Sequence, residues 1–172
     1  VAFAFMNGVE PSPTEKLSSG FEQLGAISAR LHQHVRYWKR PSSFVRKIWN
    51  FDTTVGPKPH WGDWRDAPKL SKDGVRLLEK TCQELKLQLN VFGEGPDRFG
   101  LIHADLRLAN LLVERDRLGI IDFDDCGFGW FGYDFAAAIS FFEHEPIITE
   151  LEEAWIRGYR SVAPFSEENA RM

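Results

Sequence analysis

The chain opens on alternating large and small apolar residues, Val1-Ala2-Phe3-Ala4-Phe5, the period of a buried or half-buried strand, which Met6-Asn7-Gly8 then breaks. Ser12-Pro13-Thr14-Glu15 has the form of a helix start, with Ser12 as N-cap, Pro13 in the first turn and Glu15 closing a capping box. Leu17, Phe21, Leu24, Ser28, Leu31 and Val35 follow in alternating steps of four and three, one face of a helix predicted to end near His34. Residues 40–70 hold no sustained period and contain Pro41, Pro57, Pro59 and Pro68. They predict a long ordered insertion with a short helix around Phe44–Trp49. A second helix is predicted over Asp73–Phe92, with Val75, Leu78, Cys82, Leu85, Leu89 and Phe92 as its buried stripe and Gly93 as its C-cap. Beyond it, Phe99–Ile102 reads as a strand, and Leu111–Val113 with Leu118–Ile121 as a hairpin. Gly127–Gly132 reads as a glycine-punctuated loop, Asp134–Phe142 and Ile148–Tyr159 as helices, and Ser166-Glu167-Glu168 as one more helix start. Mainly helical elements around a small hairpin make an α+β chain.

Composition narrows the picture. At 172 residues the chain has room for one domain or one large lobe, and 43% hydrophobic with 27% charged residues is the balance of a globular protein. The longest uncharged stretches fall well short of the ~20 residues that span a membrane, and no charged start leads into an apolar run. A net charge of −4 with acids and bases interleaved lacks the basic footprint that nucleic acid demands. Cys82 and Cys126 are too few for a disulfide framework, so a reducing, cytoplasmic setting is expected, without a membrane or nucleic-acid partner. A first residue other than methionine and an unfinished last helix lead to the expectation of a fragment.

The chemistry concentrates in Leu101-Ile102-His103-Ala104-Asp105-Leu106-Arg107-Leu108-Ala109-Asn110 and in Ile120-Ile121-Asp122-Phe123-Asp124-Asp125. Two polar clusters end short apolar strands on either side of one hairpin, an arrangement that can bring Asp105, Asn110 and Asp122 to a single mouth. A carboxylate and an amide oxygen suit magnesium, which takes hard oxygen ligands and keeps water and phosphate for the rest. A second carboxylate, held off the metal, can orient and deprotonate a hydroxyl. Those are the parts phosphoryl transfer requires.

His-x-Asp-x-x-x-x-Asn followed by Ile-Asp-Phe resembles the protein-kinase-like fold. More closely, the chain is similar to the aminoglycoside phosphotransferase superfamily, which includes choline kinases and type II homoserine-kinase-like proteins. Leu24–His32 resembles the first helix of that superfamily's C-terminal lobe, and Tyr133-Asp134-Phe135-Ala136 its Tyr-Asp-Leu-Ala element. The resemblance implies a C-terminal catalytic lobe over 11–172, a hinge-side strand and linker over 1–10, and a missing N-terminal lobe. It also implies an ATP- and Mg2+-dependent kinase acting on a hydroxyl of an amino alcohol, amino acid or aminoglycoside, without distinguishing ATP from GTP. By position, Asp105 is the implied catalytic aspartate, and Asn110 and Asp122 are the implied metal ligands. Arg107 is either a phosphate contact or a solvent-facing side chain, and Asp124 either assists the metal or anchors its loop. His103 and Asp134 would brace the catalytic loop, and the backbone of Phe5, Met6 and Asn7 would meet the adenine.

Only 11 residues separate Asp122 from Asp134, too few for the long segment on which protein kinases dock peptides, so a small acceptor is expected. Trp49, Trp61 and Trp64 are the expected aromatic wall, with Asp63, Asp66, Asp125 and Glu143 favouring a cation. Val1–Phe5, lacking its sheet, would offer an edge for self-association. Rival readings are a protein serine/threonine kinase, a non-catalytic kinase-like scaffold, a metallohydrolase built on His103, Asp105, Asp122 and Asp124, and an aspartyl-phosphate phosphatase using Asp122-Phe123-Asp124. The phosphatase needs a downstream lysine, and none follows Asp125.

Overall fold

The computed structural model describes residues 4–12 and 17–171. Along the chain run α1 (Ser18–Tyr37), β1 (Lys47–Trp49), α2 (Phe51–Thr54), α3 (Lys72–Phe92), β2 (Phe99–Ile102), β3 (Leu111–Glu114), β4 (Arg117–Ile120), β5 (Gly127–Trp130), α4 (Tyr133–Ala138), α5 (Ile148–Arg160) and α6 (Glu167–Arg171). Short 3-10 turns occupy Trp64–Asp66 and Leu108–Asn110. This is the expected α+β architecture, mainly helical with a small hairpin.

Helices α1 and α5 form the spine. Phe21, Leu24, Gly25, Ser28, Ala29 and His32 recur in steps of three and four along the buried stripe of α1. Leu151, Ala154, Trp155, Gly158 and Tyr159 do the same on α5. Glycine sets the approach of the two backbones: a Cβ on Gly25 would lie 2.0 Å from the Trp155 carbonyl oxygen, and one on Gly158 1.8 Å from that of Glu22. Around this contact the core gathers Trp155, Tyr159, Phe165, Leu24 and Leu151.

Two small sheets carry the functional loops. Strand β5 lies between β1, parallel to it, and β2, antiparallel. Strands β3 and β4 form the hairpin, with Glu114 opposite Arg117. Two predictions are corrected here. The segment expected as a helix around Phe44–Trp49 contributes strand β1, and the expected loop over Gly127–Gly132 contributes the central strand β5. One side chain explains both. A Cβ on Gly127 would meet the Trp49 indole at 2.8 Å, and one on Gly129 would lie 2.6 Å from Ile102 Cδ1 and 3.3 Å from Trp49 Cβ. The alternate glycines of β5 are therefore room for Trp49 and Ile102, and Trp49 is 2% exposed.

The expected strand Val1–Phe5 is also corrected in part. Val1–Phe3 lie outside the described residues, as do positions 13–16 of the expected capping box. Ala4 and Phe5 belong to no strand, and Phe5 is 90% exposed. Pairing comes later, where Val9 and Val113 exchange two backbone hydrogen bonds of 2.9 Å. Helix α3 matches its predicted span, yet none of its residues is buried, and Cys82, expected in a core, is half-buried. Its Leu85, Leu89 and Phe92 instead face an apolar hollow of about 510 Å³, across from Trp130, Phe135 and Trp155.

Candidate active site

The loop after β2 is held in an unfavourable backbone conformation by a buried carboxylate. Ala104 has φ of 69°, a region that costs a residue with a Cβ about 1–2 kcal/mol. Asp134, at the start of α4 and 0% exposed, accepts the Ala104 N–H at 2.8 Å on Oδ1 and the His103 N–H at 3.3 Å on Oδ2. His32 of α1 donates its Nε2–H to the same Oδ2 at 3.0 Å, while its Nδ1 faces the Tyr159 hydroxyl of α5 at 3.1 Å. Burial pushes the Tyr159 phenol well above the ordinary tyrosine range, so its proton stays and points to His32 Nδ1. The His32 ring stacks on Phe131, with centroids 4.4 Å apart. Asp134 is thus a buried carboxyl group satisfied by three donors, and the chain Tyr159–His32–Asp134 ties the loop after β2 to the helical spine.

His103 joins the loop to the hairpin. Its Nδ1 accepts the Asp105 N–H at 3.2 Å, so its proton resides on Nε2, which faces the Ile121 carbonyl at 3.1 Å. The ring is buried and lies 4.5 Å from that of Phe123. One side chain thereby fixes the backbone positions of Asp105 and of the residue before Asp122.

Asp105 and Asn110 are in contact. The Asn110 amide donates to Asp105 Oδ2 at 2.6 Å and to the Asp105 carbonyl at 2.8 Å. Its nitrogen is committed, so its oxygen is the atom a cation would meet. The Ile121 N–H donates to the Asn110 carbonyl at 3.0 Å, bringing Asp122 to Asn110 across the hairpin. Asp122 is exposed with φ of 62°, and its Oδ1 accepts the Asp124 N–H at 3.3 Å. Arg107 lies with Nε 3.3 Å from Asp105 Oδ2. Among the described residues no three His, Cys, Asp or Glu side chains converge as a metal cluster.

A cavity of about 360 Å³ opens beside Asp105 and is lined by Trp49, Trp61, Asp125, Tyr133 and the small residues Ala136 and Ala137. Trp49 donates its indole N–H to the Asp125 carbonyl at 2.8 Å. Two of the three expected wall residues are present. Trp64 is not among the lining residues: the Arg65 guanidinium lies over its ring at 4.2 Å, on the turn beside Glu79 of α3. Of the four acids expected to favour a cation, Asp125 lines the cavity and Asp63, Asp66 and Glu143 do not. His60, without an evident role in the sequence, packs edge-on against Trp49 at 5.0 Å and approaches the Ile48 carbonyl at 3.1 Å. Burial pushes the Cys126 thiol up, away from nucleophilic use. Phe5 and Met6 are exposed, and Met6 Sδ lies against Gly119 of β4. Sequence reasoning missed His32, Tyr159 and Lys47; a histidine on the buried stripe of α1, four residues after Ser28, was the available signal for the first.

A sequence model of the phosphotransferase enzyme family matches residues 2–165, and the chain belongs to that family. It is similar to a microcompartment-associated aminopropanol kinase of known structure, with 43% identity and a TM-score of 0.86, over 96% of this chain and 52% of that one. Amicoumacin kinase of Bacillus subtilis (strain 168) is 23% identical over 132 residues, which is 73% of this chain and 36% of that protein. The amicoumacin kinase hAmiN, solved with AMP-PNP, Ca2+ and Ami, shares the fold at a TM-score of 0.68 and 21% identity, over 94% of this chain and 48% of that one. The chain therefore spans between about a third and about half of these relatives' lengths. Among the described residues no helix is long and apolar enough to cross a membrane.

Proposed function

We propose that this lobe serves an ATP- and Mg2+-dependent kinase that phosphorylates a hydroxyl of a small molecule seated in the cavity beside Asp105. The observation that carries the reading is the junction of Asp105, Asn110 and Asp122: a 2.6 Å contact between the first two, and a hairpin bond that sets the third beside them. Asp105 orients the acceptor hydroxyl and takes its proton as the oxygen attacks the γ-phosphorus and the bond to the bridging oxygen breaks. The Asn110 oxygen and the Asp122 carboxylate would hold the magnesium. When bound, Mg·ATP supplies the phosphoryl group and neutralises its charge. Arg107 is within reach of Asp105 and of a phosphate arriving there, while Asp124 anchors the turn at Asp122 through its backbone. His103 and Asp134 act as positioning residues.

Nucleotide and divalent cation in hAmiN, and the aminopropanol named for the closer structure, support a nucleotide donor and an amino-alcohol acceptor here. The adenine would meet the backbone of Phe5, Met6 and Asn7, and a preceding lobe would supply the other wall and the phosphate-gripping lysine. Self-association through the 1–5 segment, in the absence of such a lobe, belongs to the same proposal.

The test uses the full-length protein. Asp105→Asn should abolish turnover and leave Mg·ATP affinity nearly intact, whereas Asp122→Asn should also lose magnesium-dependent nucleotide binding in calorimetry. Near-normal turnover in Asp105→Asn would refute the assignment.

A further inference from the structure

The cavity beside Asp105 contains a second carboxylate that the phosphoryl-transfer chemistry does not use. Asp125 lines it together with Trp49, Trp61 and Tyr133, and among the described lining residues there is no Lys or Arg. The basic partners of both acids are not among the lining residues: Arg107 Nε stands 3.3 Å from Asp105, and Lys47 Nζ 2.6 Å from Asp125 Oδ1. The cavity therefore shows two acidic faces to whatever enters it.

Lys47 reveals what the second face can bind. The Trp49 and Trp61 rings are stacked, 5.8 Å between centroids and 21° between planes. The Lys47 ammonium sits over both, at 5.2 and 5.1 Å, while it pairs with Asp125. A carboxylate and two indole faces already hold an ammonium group, the combination that recognises organic cations. Its hold is weak, because Lys47 is 41% exposed and Trp61 70% exposed, and ion pairs this open to water contribute little. Burial, and then the charges of Asp105, Asp134 and Asp125, push the Tyr133 phenol above its ordinary range; the same negative field favours a cation in the cavity.

We propose that Asp125, Trp49 and Trp61 form the subsite that reads the ammonium group of the acceptor, and that Lys47 is a tethered competitor for it. This rests on the phosphotransferase reading above. An acceptor with its hydroxyl toward Asp105 and its amine toward Asp125 engages both acidic faces of one cavity, whereas a neutral diol of equal length leaves Asp125 to Lys47.

The test compares kcat/KM for a short amino alcohol and for the diol that carries a hydroxyl in place of the ammonium, in the full-length protein. The wild type should favour the amino alcohol by about tenfold or more, the scale of one charge-assisted contact. In Asp125→Asn that ratio should fall to within about threefold of unity. Lys47→Met keeps the length and apolar stem without the charge, and should raise the ratio about threefold or more by lowering KM for the amine. A wild type indifferent to the amine, or a preference untouched in Asp125→Asn, would overturn the subsite. A ratio that stays level or falls in Lys47→Met would overturn the competitor. If no hydroxyl compound is phosphorylated at all, the phosphotransferase reading fails instead. Amine binding followed by tryptophan fluorescence then decides the subsite, which is overturned if Asp125→Asn binds as tightly as wild type.

Discussion

Replacing Asp134 by alanine tests the bracing of the catalytic loop most directly. The carboxylate is fully buried and accepts the Ala104 N–H at 2.8 Å, the His32 Nε2–H at 3.0 Å and the His103 N–H at 3.3 Å. Alanine leaves three buried donors without an acceptor, each costing about 1–3 kcal/mol. Water entering the vacated space recovers part of that, so the expected loss is about 3–5 kcal/mol, a large share of the stability of one domain. With a urea m-value of about 2 kcal/mol/M, the unfolding midpoint should drop by about 2 M at unchanged slope. The six tryptophans make fluorescence a convenient readout. Asp134→Asn should cost less, about 1–3 kcal/mol, because its oxygen can still serve Ala104 and His32 can exchange tautomers, leaving mainly the His103 N–H unpaired. Turnover should fall in both, since Ala104 at φ of 69° has little reason to stay there once released, and Asp105 moves with it. A loss below about 1 kcal/mol in Asp134→Ala, or equal losses in the two variants, would refute the reasoning.

Two further outcomes follow from packing and burial. Gly158→Ala should destabilise by at least about 2 kcal/mol because its Cβ would lie 1.8 Å from the Glu22 carbonyl oxygen, whereas Gly20→Ala, with nothing within 4 Å, should stabilise α1 by about 0.5–1 kcal/mol; matching urea curves for the two would contradict the close helix crossing. Burial raises both Tyr133 and Tyr159 above the ordinary phenol value of 10.0, so their contribution to stability is complete below that pH and is lost as pH climbs from there through the native values. Phenolate absorbance should therefore rise together with loss of near-ultraviolet circular dichroism; both tyrosines ionising freely in a protein still folded would contradict it.

Local periodicity was enough for the elements whose burial pattern is carried by their own residues. The spans of α3 and α5 and the hairpin β3–β4 are legible because apolar residues recur there at the period of the element. The placement of the polar loops was legible as well, since His103, Asp105, Asn110 and Asp122 lie within one short stretch whose spacing across a hairpin limits where they can go. Local pattern failed where a distant residue decides the outcome. Gly127-Phe128-Gly129-Trp130 looks like a loop until Trp49 and Ile102 are seen filling the space beside its glycines, and Lys47–Trp49 pairs only because β5 is there to receive it. Cys82 lies on a regular apolar stripe, yet a stripe specifies a core only when another element covers it, and α3 faces a hollow. Trp49, Trp61 and Trp64 are indistinguishable by composition; only the folded arrangement shows that the first two line the cavity, whereas Trp64 lies under Arg65 on a separate turn. The Tyr159–His32–Asp134 chain unites residues from three helices, 102 and 127 positions apart in sequence, and no period along the chain encodes it. The sequence alone placed His103, Asp105, Asn110 and Asp122 on two loops joined by one hairpin, because spacing along the chain is a local property. Only the tertiary structure decided what holds those loops in place and which side chains line the cavity beside Asp105, because burial and charge pairing depend on neighbours brought together by folding.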